Sequence, residues 1–466
     1  TSRGLGDVYK RQSTSMASGS SRSLSQTRPG GTSSIVIPGL LDLLDAIWFD
    51  AGAASIQARD LFPRMSASPP PAKAMAGRSS RVPVLAAASF ATSTQTFVVS
   101  GLLNEMASDL SISVAQAGQV TTVFAMAFGL SAPFLAALTA RWPRRRLLVG
   151  MLCLLALLNG LIAITHSFAA LMGLRLLCGM AAGMVVPAAA ATAAGLSTPE
   201  HRGRALATVV AGSTCAFLFG VPLGSLAGEV FGWRGAFGLA ALLALGAALA
   251  IRLLLPEVAG EHSGLRGLGN LMRTGVRKTL AITFLAFGAS FCTSAFIGPA
   301  VNRVSGLTGG QVGLMQALIG AASFAGIPLG AWMADHGAVR KLWLLPAVMV
   351  LAAVAHYALL SGAADGMASA ILFQGAVILV AGACAFALSP LLQARLVALV
   401  PEARNVVLAA NSSAMFLGQA TGALLAGIAI TALGIQGIAA AGAAMAFVAC
   451  LVAVWMNLGG RSTGRA

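Results

Sequence analysis

From residue 82 onward the chain alternates long apolar runs with short polar connections. A bilayer core needs about 20 apolar residues per helix, and twelve runs approach or exceed that length. In the first half they are 82–103, 117–138, 147–165, 168–190, 205–228 and 233–255. In the second they are 280–301, 312–334, 342–361, 367–388, 406–430 and 437–456. The pattern predicts an all-α integral membrane protein of twelve transmembrane helices. It does not alternate every second residue, as the strands of a membrane barrel do.

Composition agrees with that pattern: of 466 residues, 57% are hydrophobic and only 9% charged, against about a quarter charged in a soluble domain. The net charge of +16 would suggest a nucleic-acid partner in a soluble protein. Here the charges fall in loops between apolar runs and read as topology signals, with no nucleic acid implied. With the N-terminus inside, Arg141, Arg144, Arg145, Arg146, Arg202, Arg204, Arg252, Arg266, Arg273, Arg277, Lys278, Arg340, Lys341, Arg395 and Arg404 lie in cytoplasmic loops or span ends. Arg234 and Arg303 alone among the interspan basic residues fall outside. Both termini are therefore expected in the cytoplasm. Trp142, Trp233, Trp332, Trp343 and Trp455 are expected as interfacial anchors near span ends.

Residues 1–81 are of another kind, rich in Ser, Arg, Pro and Gly, and are expected to be disordered. The run Asp7 to Gln12 has the look of translated adapter sequence, and Met65 and Met75 are candidate starts. The stretch 35–49 suits a short amphipathic helix but is too short to span. The expected organisation is this N-terminal segment, a six-helix half over 82–255, a cytoplasmic linker over 256–279, a second six-helix half over 280–457 and a cytoplasmic tail over 458–466.

The halves repeat. Gly118-Gln119-Val120 at the start of the second run recurs 192 residues on as Gly310-Gln311-Val312 at the start of the eighth. Pro133 is matched by Pro328 at an offset of 195. Gly220, Gly224 and Gly228 on the fifth are answered by Gly418, Gly422 and Gly427 on the eleventh. Small residues four apart line one helix face and admit a close neighbour. Parallel six-helix repeats around a midplane site are a recurrent transporter design.

Several motifs resemble the major facilitator superfamily, in particular the bacterial drug:proton antiporters and arabinose-efflux permeases. They are Ser100-Gly101-Leu102-Leu103-Asn104-Glu105 through Gln119, then Ala137 to Arg146, and Gly330-Ala331-Trp332-Met333-Ala334-Asp335-His336-Gly337 followed by Arg340-Lys341. Arg175-Leu176-Leu177-Cys178-Gly179 resembles the motif whose arginine serves proton coupling. Gly220-Val221-Pro222-Leu223-Gly224 resembles the glycine-proline signature of antiporters. The resemblance implies two six-helix bundles related by a pseudo-two-fold axis, alternating access, and Arg141, Arg144, Arg145, Arg146, Asp335, Gly337, Arg340, Lys341, Gly220, Pro222 and Gly224 as conformational-gate residues. Two departures stand out. Ala136 and Ala140 replace the Gly and Asp of the first-half gate motif, so basic residues alone are expected there; and Thr96 precedes Phe97 where relatives carry a glutamate.

An arginine inside a span costs at least about 2.5 kcal/mol unless it faces protein or water, which makes Arg175 the leading substrate or coupling candidate. Its alternative role is to fix helix packing. Gln95, Asn302, Gln316, Gln374, Asn411 and Gln419 are polar groups able either to orient a neutral substrate or to bond helix to helix. His356 reads as a packed or interfacial histidine. The six cysteines, Cys153, Cys178, Cys215, Cys292, Cys384 and Cys450, sit singly in apolar runs and indicate no metal or redox site. No phosphate-binding loop of the G-x-x-x-x-G-K-[ST] kind occurs, and the five histidines are scattered, which speaks against ATP-driven transport and a membrane enzyme.

The expected function is secondary transport of a drug, sugar or metabolite, proton-coupled efflux by implication of the resemblance. The expected partners are a small-molecule substrate, a proton or other coupling ion and membrane lipid, with no cofactor and a monomeric state in a bacterial cytoplasmic (inner) membrane. The rival reading is an uncoupled facilitator or a transporter-like sensor.

Overall fold

The computed structural model describes residues 81–139, 141–198, 201–260, 268–336, 341–362 and 369–462. The N-terminal segment up to residue 80, with the 35–49 stretch and both candidate starts, lies outside the described residues, as do Arg266, Gly337 and Arg340.

Helix breakers and caps set where the spans end. The first begins with Pro83 in its first turn, where a missing N–H costs nothing. It runs Pro83–Phe97, tightens to a 3-10 turn over Val98–Gly101 and continues as Leu103–Asp109. The second, Val114–Leu138, opens with a reciprocal capping box in which Ser113 and Gln116 exchange backbone-to-side-chain bonds of 2.9 and 3.1 Å. The third is Arg144–Ile164, and the fourth is Phe168–Gly195, capped by Ser167. The fifth starts at Arg202–Cys215 and passes through a π-turn over Ala216–Gly220. It then enters Val221–Leu254, which breaks at Gly232 (φ 73°, ψ 167°). That left-handed residue separates the fifth span from the sixth, a conformation glycine adopts without a Cβ clash.

The seventh span comprises Thr274–Ser294 and Ile297–Ser305, bent by 48°. The remaining spans are Gly309–Asp335, Leu344–Leu360, Ala370–Leu399, Arg404–Leu433 and Gly437–Ser462. Twelve spans thus occur among the described residues. Helix bounds drift from the hydropathy runs where a helix outlasts its apolar stretch: the tenth carries Gln393 and Arg395 within its last turns.

The spans pack as two six-helix bundles with matching internal contacts. The first lies on the fifth, where Gly212, Gly220, Gly224 and Gly228 meet Ala86, Thr94, Val98 and Leu102 in turn. The seventh lies on the eleventh in the same way, with Gly418 against the Phe284 backbone and Gly422 against the Gly288 carbonyl. Second packs on fourth and eighth on tenth; third on sixth and ninth on twelfth. Lipid tails supply no hydrophobic drive between helices, so such close backbone approach is what yields packing energy.

The bundles meet along two symmetry-related seams, second with eleventh and fifth with eighth. On the first seam the Phe128 and Phe416 rings stack with centroids 3.6 Å apart. On the second, the Ser225 hydroxyl donates to Gln316 Oε1 at 3.0 Å and the Gly310 N–H donates to a Glu229 carboxylate oxygen at 2.6 Å.

Candidate functional site

Between the seams lies a central cavity of about 250 Å³, to which spans of both bundles contribute. The first span turns Thr92, Ser93, Thr96, Phe97 and Ser100 toward it. The fifth adds Ser213, Phe217 and Val221, the seventh Phe287, Ser290, Phe291 and Ser294, and the eighth Gln316. Phe386 of the tenth and Ser412, Met415, Phe416 and Gln419 of the eleventh complete much of the wall.

Among the described residues no acidic, basic or histidine side chain lines this cavity; the wall is phenylalanine and aliphatic groups with hydroxyls and amides between them. Phe97 and Phe217 sit 4.4 Å apart between centroids, and Phe217 meets Phe386 edge-on at 5.8 Å. Three lining oxygens buried from solvent, Thr92 Oγ1, Ser100 Oγ and Gln419 Oε1, have no protein hydrogen-bond partner. Buried polar atoms are nearly always paired, so these are groups in the cavity wall left to be satisfied. Thr96 is spent differently, donating to the Thr92 carbonyl at 2.7 Å.

Of the polar residues singled out from sequence, Gln316 and Gln419 line the cavity. The other four lie outside its lining and bond between or within helices. Gln95 Oε1 accepts from Asn159 at 3.1 Å. Asn411 Oδ1 accepts from the Thr283 hydroxyl at 2.7 Å. Gln374 Nε2 donates to the Ala300 carbonyl at 3.1 Å, and Asn302 Nδ2 to the Leu307 carbonyl at 3.4 Å.

Arg175 is also outside the lining. It is buried inside the first bundle, where Nη1 donates to the Gln95 carbonyl at 3.2 Å. Its guanidinium lies over the Phe237 ring at 4.5 Å and near Phe124 at 5.6 Å. Nε and Nη2 have no hydrogen-bond partner, and aromatic faces do the work a carboxylate would do elsewhere. Asn159, which joins this arginine to the third span through Gln95, carried no sequence signal beyond being a polar residue in an apolar run.

Among the described residues, the charged ones expected at the gate sit together at one end of the bundles, and the glycine-proline group lies mid-span. Arg145 Nη2 lies 2.7 Å from Glu257, and Arg146 Nε lies 3.5 Å from the same carboxylate. The Arg144 N–H donates to the Val258 carbonyl at 2.9 Å. The arginines expected to stand alone are therefore tied to the chain leaving the sixth span, by an acid too far along the sequence to have suggested itself. Arg141 and Lys341 are exposed, and Asp335 ends the eighth span at that same basic end. Gly220 and Gly224 pack on the first span, and Pro222 backs onto Gly313 across the seam.

At the opposite end, a Cβ on Gly298 would lie 2.8 Å from the Gly101 carbonyl, so the bundles touch backbone to backbone there. The Arg234 exception to the charge bias also has a partner: Asp109 accepts from Arg234 at 2.7 Å and from Trp233 Nε1 at 3.2 Å. The Trp233 bond first, and then Arg234, holds the Asp109 carboxyl below the usual carboxylate range, against an opposing desolvation. Trp233 is consequently buried, not an interfacial anchor, whereas Trp332 and Trp455 are exposed.

Comparison with known proteins agrees with this geometry. The family model described as Major Facilitator Superfamily matches residues 85–279. The chain is 29% identical to an "Uncharacterized MFS-type transporter YbcL" of Bacillus subtilis (strain 168), over 80% of this chain and 95% of the relative. It is 30% identical to a "Chloramphenicol resistance protein" of Streptomyces lividans, over 74% of this chain and 87% of the relative. Among solved structures, a bacterial homolog to the human lysosomal transporter Spinster, inward-facing and occupied, superposes with TM-score 0.66 at 18% identity, covering 82% of this chain and 97% of that one. A point mutant of the nucleoside transporter NupG superposes with TM-score 0.64 at 13% identity, over 81% and 99%.

Proposed function

Because the chain belongs to the Major Facilitator Superfamily, we propose that it exports an uncharged, aromatic small molecule by alternating access, driven by a proton gradient. The observation that carries this reading is the charge-free central cavity, with its phenylalanine walls and three unspent polar groups. A cation or carboxylate placed there would lose its hydration with no opposite charge to replace it, a cost of several kcal/mol. An uncharged aromatic molecule with hydroxyl or amide groups would bury its ring against Phe97, Phe217 and Phe386 and bond to Thr92, Ser100 and Gln419. Chloramphenicol, named in the Streptomyces lividans relative, is an uncharged aromatic amide with hydroxyl groups and fits that description.

The charge bias along the sequence supports placing both termini in the cytoplasm of a bacterial inner membrane. In that orientation the Glu229–Gly310 bond and the Gly101–Gly298 contact close the outer side, and Arg145 and Arg146 bind Glu257 on the inner side. The protein is then inward-facing. The gate motifs work as a monomer, each bundle rocking against the other about the two seams.

The test is uptake of radiolabelled chloramphenicol by proteoliposomes under an imposed pH gradient, with a pH dye in the lumen. Gradient-dependent accumulation with matching proton movement is expected. Chloramphenicol movement indifferent to the gradient would overturn proton drive. It would favour facilitated diffusion without ion coupling, the reading that the absence of a carboxylate in the cavity supports. Equal uptake of a cationic analogue would overturn the substrate class.

A further inference from the structure

His356 lies on the ninth span, 2% exposed, and its Nε2 has no hydrogen-bond partner. It does not stand in solid packing. A second cavity of about 40 Å³ opens beside it inside the second bundle, bounded by the seventh, eighth, ninth, tenth and twelfth spans. A volume of that size holds one or two waters, provided that polar partners are present. They are: Ser290, Thr293 and Ser294 of the seventh span line it together with the imidazole.

Ser290, Ser294 and Ile319 also line the central cavity. The two spaces therefore share a wall, and its polar part is a pair of hydroxyls one helical turn apart, with Ser294 Oγ donating to the Ser290 carbonyl at 3.0 Å. A hydroxyl both donates and accepts, so once the Ser294 O–H turns from the Ser290 carbonyl this pair can pass a proton between water in the central cavity and water beside His356.

We propose that His356 is the proton-carrying residue of the transport cycle, reached from the central cavity through Ser290 and Ser294. This inference rests on the proton-driven reading above and says where the proton sits. The chemistry balances as a simple acid–base step: a proton from water in the central cavity adds to an imidazole lone pair, no other bond breaks, and the same proton leaves to water after the bundles have rocked.

The other titratable groups on the packed spans do not serve. Cys292 on the seventh donates to the Gly422 carbonyl at 3.3 Å, on the face toward the eleventh and twelfth spans, and Cys384 on the tenth and Cys450 on the twelfth are outside the chamber lining. Lys278, Arg303, Asp335 and Arg395 sit toward span ends and are likewise outside it. Among the described residues no carboxylate lines either space, so an imidazolium here is held by water and hydroxyls. Its charge is tolerated while the chamber is wet and disfavoured when a substrate pressed against Ser290 and Ser294 dries the relay. Substrate and proton thereby exclude one another, which is the requirement of an antiporter.

The experiment uses the full chain in proteoliposomes with radiolabelled chloramphenicol. It measures two rates: accumulation driven by a pH gradient, and exchange at equal concentrations with no gradient. His356→Gln is expected to lose gradient-driven accumulation at least tenfold while keeping exchange within twofold of wild type. His356→Glu, which restores a titratable group, is expected to retain accumulation with its pH profile displaced; it also carries the test if the Gln variant does not fold. Ser290→Ala with Ser294→Ala is expected to slow accumulation more than exchange. His356→Gln accumulating chloramphenicol like wild type would overturn the inference and leave proton drive standing. Loss of accumulation and exchange together in a monodisperse His356→Gln, or a His356→Glu pH profile identical to that of wild type, would assign the histidine to packing instead. Wild-type protein indifferent to the gradient would overturn both.

Discussion

Glycine at the helix contacts sets how closely the two layers of each bundle approach, and that spacing can be perturbed by one methyl group. On Gly418 of the eleventh span a Cβ would fall on the Phe284 carbonyl oxygen and within 2.9 and 3.0 Å of its carbonyl carbon and Cα. On Gly212 of the fifth it would fall on the Ala86 carbonyl oxygen and within 2.9 Å of both neighbouring carbons. Carbon atoms rest about 3.5–4.0 Å apart, and because the obstacle is backbone, no rotamer change relieves it. The helices must part by about 0.5–1 Å, which forfeits a quarter to a half of each dispersion contact along that helix pair. Overpacking of this kind costs about 1–3 kcal/mol.

Gly238 of the sixth span is the matched control, since nothing lies within 4 Å of its Cβ position. There the same substitution gains about 0.5–1 kcal/mol through reduced backbone freedom. The assay is the midpoint of thermal aggregation in one detergent, a kinetic measure suited to a protein that does not refold. Gly418→Ala and Gly212→Ala are expected well below wild type and Gly238→Ala at or above it. Midpoints for Gly418→Ala equal to those of Gly238→Ala would refute the claim that backbone contact at these glycines holds the helices of each bundle together.

Further outcomes follow from other contacts. Gln316→Leu removes the cross-seam bond from Ser225 and leaves that hydroxyl unpartnered, a loss of about 1–3 kcal/mol; the open-outward population, read by spin-label distances across the Glu229 end, should rise about tenfold or more. Arg175→Ala is expected to abolish chloramphenicol transport in a protein that remains monodisperse by gel filtration, because Phe124, Phe237 and Gln95 lose the cation that orders them. Normal transport by that variant would remove Arg175 from the mechanism. Asp109 has its carboxyl pKa lowered in the folded protein, so its stabilising contribution is present above the unfolded value of about 3.9 and is lost as pH falls through the lower folded one. Wild type should accordingly lose thermal stability more steeply than Asp109→Asn below about pH 4, and parallel curves would contradict the assignment.

The fold was largely legible because its signals are local. Apolar length gave the spans, and the recurrence of Gly118-Gln119-Val120 as Gly310-Gln311-Val312 gave the two bundles. The break at Gly232 falls in the gap between the fifth and sixth apolar runs, beside Glu229 and Arg234. The pairing of Arg145 with Glu257 was not legible, because it links residues 112 apart. The cavity was legible only in part. Gln316 and Gln419 look no different in sequence from Gln374 or Asn411, because all are single amides in apolar helices; facing the centre or bonding a neighbour depends on rotation about a helix axis, which composition does not encode. The hydroxyls Thr92 and Ser100 lie in a first span rich in such groups, and nothing local separates those that face the cavity from Thr94, which donates to its own helix at 2.8 Å.

That rotational distinction is also what decides whether the central cavity is the substrate site. The direct measurement is the dissociation constant of chloramphenicol by calorimetry in detergent for wild type, Gln419→Leu and Gln374→Leu. Gln419 lines the cavity with an unpartnered Oε1, whereas Gln374 is buried outside the lining with Nε2 on the Ala300 carbonyl. Loss of one hydrogen bond to the ligand, about 1.4 kcal/mol, is a tenfold weakening. The account expects that weakening in Gln419→Leu and a constant within twofold of wild type in Gln374→Leu; unchanged binding by Gln419→Leu, or equal weakening by both, would contradict it.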